Sequence, residues 1–134
     1  MKIMLVRLRD ALGLELVEQV HAWILCIRKP AGLVFNVTVP HAVLEWFVDA
    51  HDDSGAIWSE WADYYPINGE TRELLTEMAF EIERFVTIMV NSEIRVSHDE
   101  AKSKKGIELK VGGSWQSASL IWMTARPEDD SVQT

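Results

Sequence analysis

The sequence predicts an α+β protein, in which an antiparallel sheet of about six strands packs against a long central helix and an N-terminal helix. Apolar residues recur at helical spacing in two segments, and alternating or β-branched runs occupy most of the remainder. The predicted order is helix, three strands, helix, three strands. Runs of strands separated by helices are typical of antiparallel α+β folds. Two small sheets around the long helix are the alternative arrangement.

The N-terminal helix is predicted over roughly residues 10–28. Apolar side chains between Leu14 and Ile27 recur there at steps of three or four, and Pro30 and Gly32 then break the pattern. Residues 3–9 either continue this helix or form a short strand, because Gly13 interrupts the junction.

The next segments predict three strands. Residues 33–39 alternate and are β-branched, and Pro40 ends this strand or marks a sheet edge. Residues 43–50 and 56–61 are predicted to pair as a hairpin, because residues 51–55 hold strong turn signals.

The second half predicts the long helix and three more strands. Residues 70–91 contain no Gly or Pro and carry apolar residues at helical spacing, with glutamates on another face. Strands at 93–98, 107–111 and 114–123 follow, the last two joined by Gly112 and Gly113. We expect one domain over residues 1–126 and a disordered polar tail over 127–134.

Composition excludes several classes of protein. The chain has 134 residues, of which 48% are hydrophobic, so a real core is possible and a disordered chain is not expected. A single cysteine excludes an internal disulfide and a Cys-rich zinc site. The net charge of -8 argues against direct binding to nucleic acid. No apolar run approaches a membrane span and no signal-peptide core is present, so we expect a cytoplasmic protein without a membrane partner.

Charge is concentrated in residues 41–83. This window holds 11 acidic residues and one basic residue, Arg72, so its net charge is -10, while the other 91 residues sum to +2. One interpretation is a solvated acidic face that keeps the protein soluble. The other is electrostatic complementarity to a basic partner, which speeds association.

The same window is rich in aromatic residues. Six of them lie within 20 positions, from Trp46 to Tyr65, with acidic residues between them. Core packing is the favoured interpretation for Trp46 and Trp61, and it is less favoured for Tyr64 and Tyr65, because Trp and Tyr are common anchors of binding interfaces. The predicted partner contacts combine acids that steer with aromatics that anchor: Glu45, Asp49, Asp52, Asp53, Trp58, Glu60, Asp63, Tyr64 and Tyr65.

No catalytic, cofactor or metal residue is predicted. The four histidines lack metal-ligand spacing, and the serines lie in no nucleophile-elbow pattern. Cys26 lies inside an apolar run and is expected to be a buried small hydrophobe. We therefore expect a protein that is not an enzyme and needs no cofactor.

Residues 44–48, Gly55 and residues 58–65, followed by the helix at 78–86, resemble small bacterial immunity proteins of polymorphic or contact-dependent toxin systems. The similarity extends over roughly residues 43–95. It implies a small acidic protein that neutralises a cognate toxin by tight binding, and a nuclease with a basic cleft would suit the acidic face. Two alternatives stay open. One is a small-molecule-binding protein or enzyme with a Trp-lined pocket, and the other is an adaptor or obligate oligomer.

Overall fold

The computed structural model describes residues 1–65 and 71–125, which form eight strands and three α-helices. In chain order these are α1 (Lys2–Leu12), β1 (Glu15–Glu18), β2 (Ala22–Lys29), β3 (Leu33–Pro40), β4 (Glu45–Asp52), β5 (Gly55–Asp63), α2 (Thr71–Asn91), β6 (Glu93–Asp99), β7 (Lys104–Val111), β8 (Ser114–Ser117) and α3 (Ala118–Ala125). A five-stranded antiparallel sheet has the order β1-β2-β3-β4-β5, and a three-stranded antiparallel sheet has the order β6-β7-β8. The α+β class is confirmed, but there are eight strands instead of the expected six. They form two sheets, as in the alternative arrangement, and not one.

The predicted helix over residues 10–28 is wrong. Helix α1 ends at Leu12, because Gly13 adopts a left-handed conformation (φ 67°) and its N–H donates to the carbonyl of Arg9. Strands β1 and β2 follow and pair as a hairpin. Strand β2 carries apolar residues on both of its faces, and such a continuous run cannot be distinguished from a buried helix by periodicity alone.

The last predicted strand, over residues 114–123, is also wrong beyond Ser117. Strand β8 stops there and α3 begins, since the Ser117 hydroxyl accepts a hydrogen bond from the N–H of Leu120 at 3.2 Å. Ala118, Ile121 and Trp122 then recur at helical spacing and are buried.

Six other predicted elements are confirmed, with small differences at their ends: β3, β4, β5, α2, β6 and β7. Strand β3 covers Leu33–Pro40, and β4 and β5 pair around a turn that brings Asp52 opposite Gly55. Helix α2 occupies Thr71–Asn91, and β7 pairs with β8 across the glycine turn. The predicted loop residues 66–69, the predicted helix start at residue 70 and the predicted tail at 127–134 lie outside the described residues.

One core connects the helices to one face of the five-stranded sheet. We call this the inner face; it contributes Phe35, Val37, Trp46 and Val48, which are fully buried. The rings of Phe85 on α2 and Trp122 on α3 contact Trp46 with centroid separations of 5.8 and 4.5 Å. The opposite, outer face of this sheet carries the alternate residues of each strand. Among the residues described, no helix is long and apolar enough to cross a membrane.

Candidate partner-binding site

The outer face carries a row of four apolar side chains and Thr38 that crosses all five strands. Phe47 on β4 lies directly opposite Trp61 on β5 and opposite Thr38 on β3. Ile24 and Val17 continue the row across β2 and β1. Trp61 is 55% exposed and Val17 is 41% exposed, so this row faces solvent. An exposed tryptophan at the end of an apolar row is a typical interface anchor.

Acidic residues flank the aromatic pair on both sides. One step along the same face, Glu45 lies directly opposite Asp63, and one step in the other direction Asp49 lies opposite Ser59. Like charges directly opposite each other on a sheet destabilise the pairing. A cation bound between Glu45 and Asp63 would relieve this repulsion.

Tyr65 extends this acidic region beyond the end of β5. Its side chain is 73% exposed. A side-chain hydrogen bond to Asp63, together with the charges of Asp63 and Glu45, raises the pKa of Tyr65. The Tyr65 hydroxyl therefore lies near both carboxylates. We call Glu45, Phe47, Asp49, Trp61, Asp63 and Tyr65 the acidic–aromatic face.

A β-bulge places Trp61 on this face. At the turn, Asp52 pairs with Gly55 and His51 with Ala56, and continuation of that register would pair the buried Trp46 with Trp61. The register shifts by one residue between Ala50 and His51, so Trp61 pairs with Phe47 instead. A shift of one residue moves every later side chain to the other face of a strand. The expectation that Trp61 lies in the core is therefore wrong, whereas Trp46 is fully buried as expected.

Asp52 and Asp53 lie at the far end of the hairpin from Glu45. Seven residues separate Glu45 from Asp52, which is about 23 Å of strand. The Asp52 carboxylate accepts hydrogen bonds from the N–H and hydroxyl of Ser54, and these bonds lower the pKa of Asp52. The ammonium of Lys105 lies 4.0 Å from the same carboxylate. The Asp52 carboxylate therefore contacts the turn and the β6–β7 hairpin, whereas Asp53 is exposed.

Trp58 and Glu60 lie on the inner side of β5. The indole N–H of Trp58 donates to the Ser119 hydroxyl at 2.9 Å, and that hydroxyl donates to Glu60 at 2.9 Å. Both residues line an open cleft of about 870 Å³ between β5 and the three-stranded sheet. They are therefore separated from the acidic–aromatic face by the thickness of the sheet.

Tyr64 has a structural position. Its hydroxyl accepts a hydrogen bond from the indole N–H of Trp46 at 2.9 Å and donates to the carboxyl group of Glu81. Glu81, one of the glutamates that the spacing of α2 places on another face than the apolar stripe, is only 4% exposed. The approach of the β5 end to α2 brings the Tyr64 hydroxyl to this carboxyl group.

The acidic window does not form one surface. Helix α2 packs on the inner face, so its exposed acids Glu73 and Glu77 lie on the opposite side of the five-stranded sheet from Glu45 and Asp63. Of the nine predicted contacts, the outer face brings together Glu45, Asp49, Asp63 and Tyr65. The aromatic pair of Phe47 and Trp61 was not among those nine predictions. The alternation of β4 does place Phe47 on the face of Glu45 and Asp49, opposite to the buried Trp46.

The other candidate chemistry has little support in the structure. The described part of the chain holds no group of three His, Cys, Asp or Glu residues that could bind a metal ion. Cys26 is buried as expected, and burial raises the pKa of its thiol. Comparison with models of known protein families, with curated proteins and with solved structures finds no match to this chain.

Proposed function

We propose that this protein is a cytoplasmic inhibitor of the immunity-protein kind, which neutralises a cognate toxin by binding it through the acidic–aromatic face. It acts without catalysis, and its partner presents a basic surface, such as the active-site cleft of a nuclease. The observation that carries the proposal is the order of cross-strand pairs on the outer face. An acidic pair, an aromatic pair and a further acid follow one another along β4 and β5.

This arrangement suits a lysine or arginine side chain of a partner. The Trp61 ring is exposed, and a cation over such a ring gains a cation–π interaction. The same cation would lie near Glu45 and Asp63, whose mutual repulsion it would relieve. Acids around an aromatic centre also raise the association rate with a basic partner, since opposite charge steers the encounter.

The test compares two charge reversals of equal size. Purification of the tagged protein at low salt identifies a partner, and kinetics are then measured against that purified partner. Glu45→Lys with Asp63→Lys changes the acidic–aromatic face, whereas Glu73→Lys with Glu77→Lys makes the same change in net charge on α2. We expect the first variant to slow association by about tenfold or more at low salt and to flatten its salt dependence. The α2 variant should change the rate by only about twofold.

A third variant tests the anchor. Trp61→Ala should leave association nearly unchanged and should accelerate dissociation by about thirtyfold, as expected for a central aromatic contact. Equal effects of the two charge reversals, together with an unchanged dissociation rate for Trp61→Ala, would remove the outer face from the proposal.

The alternative of a Trp-lined ligand pocket has weaker support. Trp58 lines the cleft beside β5, but Trp46 and Trp122 contact each other in the core and Trp61 lies on the outer face. A melting shift with a panel of metabolites would favour the alternative, because a ligand that binds only the folded state stabilises it.

A further inference from the structure

Helix α2 carries an exposed phenylalanine on the side that faces away from the sheet. The buried stripe of this helix packs on the inner face and includes Ile82, Phe85 and Met89. Successive residues of a helix are rotated by about 100°, so Phe80 lies on the side opposite to that stripe. Phe80 is 62% exposed, which makes it the most exposed apolar residue of α2.

Two shallow grooves adjoin Phe80, so its ring is not an isolated apolar group. Toward the C-terminal end of α2, a groove of about 540 Å³ is lined by Phe80, Thr87 and Ile88 among others. Toward α1, a groove of about 410 Å³ has Met4, Leu75 and Phe80 in its lining. A projecting ring beside such grooves can both enter a partner surface and receive a side chain from it.

The charges on the exposed side of α2 are ordered along the helix. Glu73 and Glu77 precede Phe80, and Arg84 follows it. All three charged residues are exposed, and none of them forms an ion pair with any residue that the structure describes. Glu73 and Glu77 are four positions apart, and like charges at that spacing destabilise a helix. A cation from another molecule would therefore stabilise the first half of α2.

A second copy of α2, turned end for end, supplies the complementary order of charges. Glu77 lies three positions before Phe80, and Arg84 lies four positions after it. When two such helices lie antiparallel about an axis next to Phe80, Glu77 of each copy therefore faces Arg84 of the other. A two-fold axis makes this pair twice. A parallel arrangement would instead place Glu77 against Glu77.

The available area suits a weak dimer. Specific interfaces bury at least about 1,000 Å² in total. Two Phe80 rings supply about 200–300 Å² of this area, since an aromatic side chain buries about 150–250 Å² and each Phe80 is 62% exposed. The walls of the grooves supply the remainder. We therefore expect a dissociation constant in the micromolar range.

We propose that this protein forms a reversible two-fold dimer through the exposed side of α2. Phe80 lies at the centre of the interface, and the two pairs of Glu77 with Arg84 flank it. Helix α2 lies on the opposite side of the five-stranded sheet from Trp61, so the dimer leaves the acidic–aromatic face free. The inference goes beyond the proposed function, because it uses no residue of that face and requires no toxin.

Sedimentation velocity of the full chain over about 1–200 µM measures the dimer. Phe80→Ala removes the central ring and should raise the dissociation constant by about tenfold or more, because the ring acts twice in a two-fold interface. Trp61→Ala is the matched control, since Trp61 is an aromatic residue of similar exposure, 55%, on the outer face. This control should leave the dissociation constant within about twofold.

A reciprocal charge exchange tests which residues face each other. Glu77→Arg alone and Arg84→Glu alone each place two like-charge pairs in the interface and should weaken the dimer by about tenfold. The two changes combined restore opposite charges across the axis, so the dissociation constant should return to within about threefold of the original value. A parallel pair of helices, or a different partner on this face, would give no such recovery.

A monomer at every concentration up to about 200 µM overturns the proposal, and the exposed side of α2 would then be left to a different partner. A dimer that Phe80→Ala leaves intact overturns it as well. If Trp61→Ala dissociates that dimer, the outer face joins the two copies. Failure of the combined charge exchange to restore the dimer overturns the antiparallel pairing, and the proposal with it.

Discussion

Replacement of Tyr64 by phenylalanine tests whether this residue supports the fold rather than contacting a partner. The hydroxyl of Tyr64 bridges the buried indole N–H of Trp46 and the buried carboxyl group of Glu81. Trp46 is 0% exposed and Glu81 is 4% exposed, so both groups that this hydroxyl joins are buried. Tyr64→Phe removes both hydrogen bonds and adds no steric bulk.

The expected loss of stability follows from these two bonds. Leaving a buried donor without this partner costs about 1–3 kcal/mol, and loss of a hydrogen bond to a carboxylate costs about 1.5–3 kcal/mol. The two losses share one hydroxyl and are not strictly additive, so we expect a decrease of about 2–5 kcal/mol in the free energy of unfolding. With an m-value of roughly 2 kcal/mol/M, the urea midpoint falls by about 1–2.5 M.

Urea unfolding followed by tryptophan fluorescence measures this change, and Tyr65→Phe is the matched control. Tyr65 is the adjacent residue and is 73% exposed, so its substitution should change the free energy of unfolding by less than about 0.5 kcal/mol. Equal destabilisation by the two substitutions would refute the bridging role of Tyr64. A large loss of partner affinity in a fully folded Tyr64→Phe protein would restore Tyr64 as a contact residue.

Three further predictions concern the rest of the fold. Lys29 donates to two main-chain carbonyls at the end of α2, both at 3.0 Å. Lys29→Met should therefore lower the free energy of unfolding, measured by urea titration, by about 1–3 kcal/mol. Arg28→Met, at the exposed neighbouring position, should have little effect in the same titration. Trp61→Ala should lower the free energy of unfolding by less than about 1.5 kcal/mol, because the ring is already exposed. A larger loss of stability would indicate that the Trp61 ring is buried in the folded protein. The pKa of Asp52 is lowered by its bonds from Ser54, so this carboxylate stabilises the fold above its ordinary pKa, and the contribution is lost as the pH falls through the lowered value. Asp52→Asn should therefore show a flatter acid dependence of the unfolding free energy, and an unchanged slope would contradict the assignment.

Local sequence pattern was sufficient to predict secondary structure in the segments where one signal dominates. The alternation in β3, the turn residues between β4 and β5, and the helical spacing of α2 each predict the observed element. Strand β2 and helix α3 were predicted wrongly. In β2 an apolar run belongs to a strand that carries apolar residues on both faces. In α3 a serine cap begins a helix inside a segment expected to be extended.

The candidate site was predictable in composition and not in arrangement. Sequence reasoning found the acidic and aromatic window and four of the residues that share the outer face. It did not find the pairing of Phe47 with Trp61, because that pairing depends on a one-residue bulge between Ala50 and His51. No residue type at the bulge predicts this one-residue shift in register.

The sequence by itself determined the α+β class, the acidic charge and the concentration of aromatic residues in one half of the chain, because these follow from composition and local periodicity. Only the tertiary structure decided which of those residues share a surface. It placed Trp61 beside Glu45 and Asp63, buried Glu81 against Tyr64 and left Phe80 exposed on α2. Register, sheet division and helix packing are set by contacts between residues distant in sequence, and these contacts leave no local pattern in the chain.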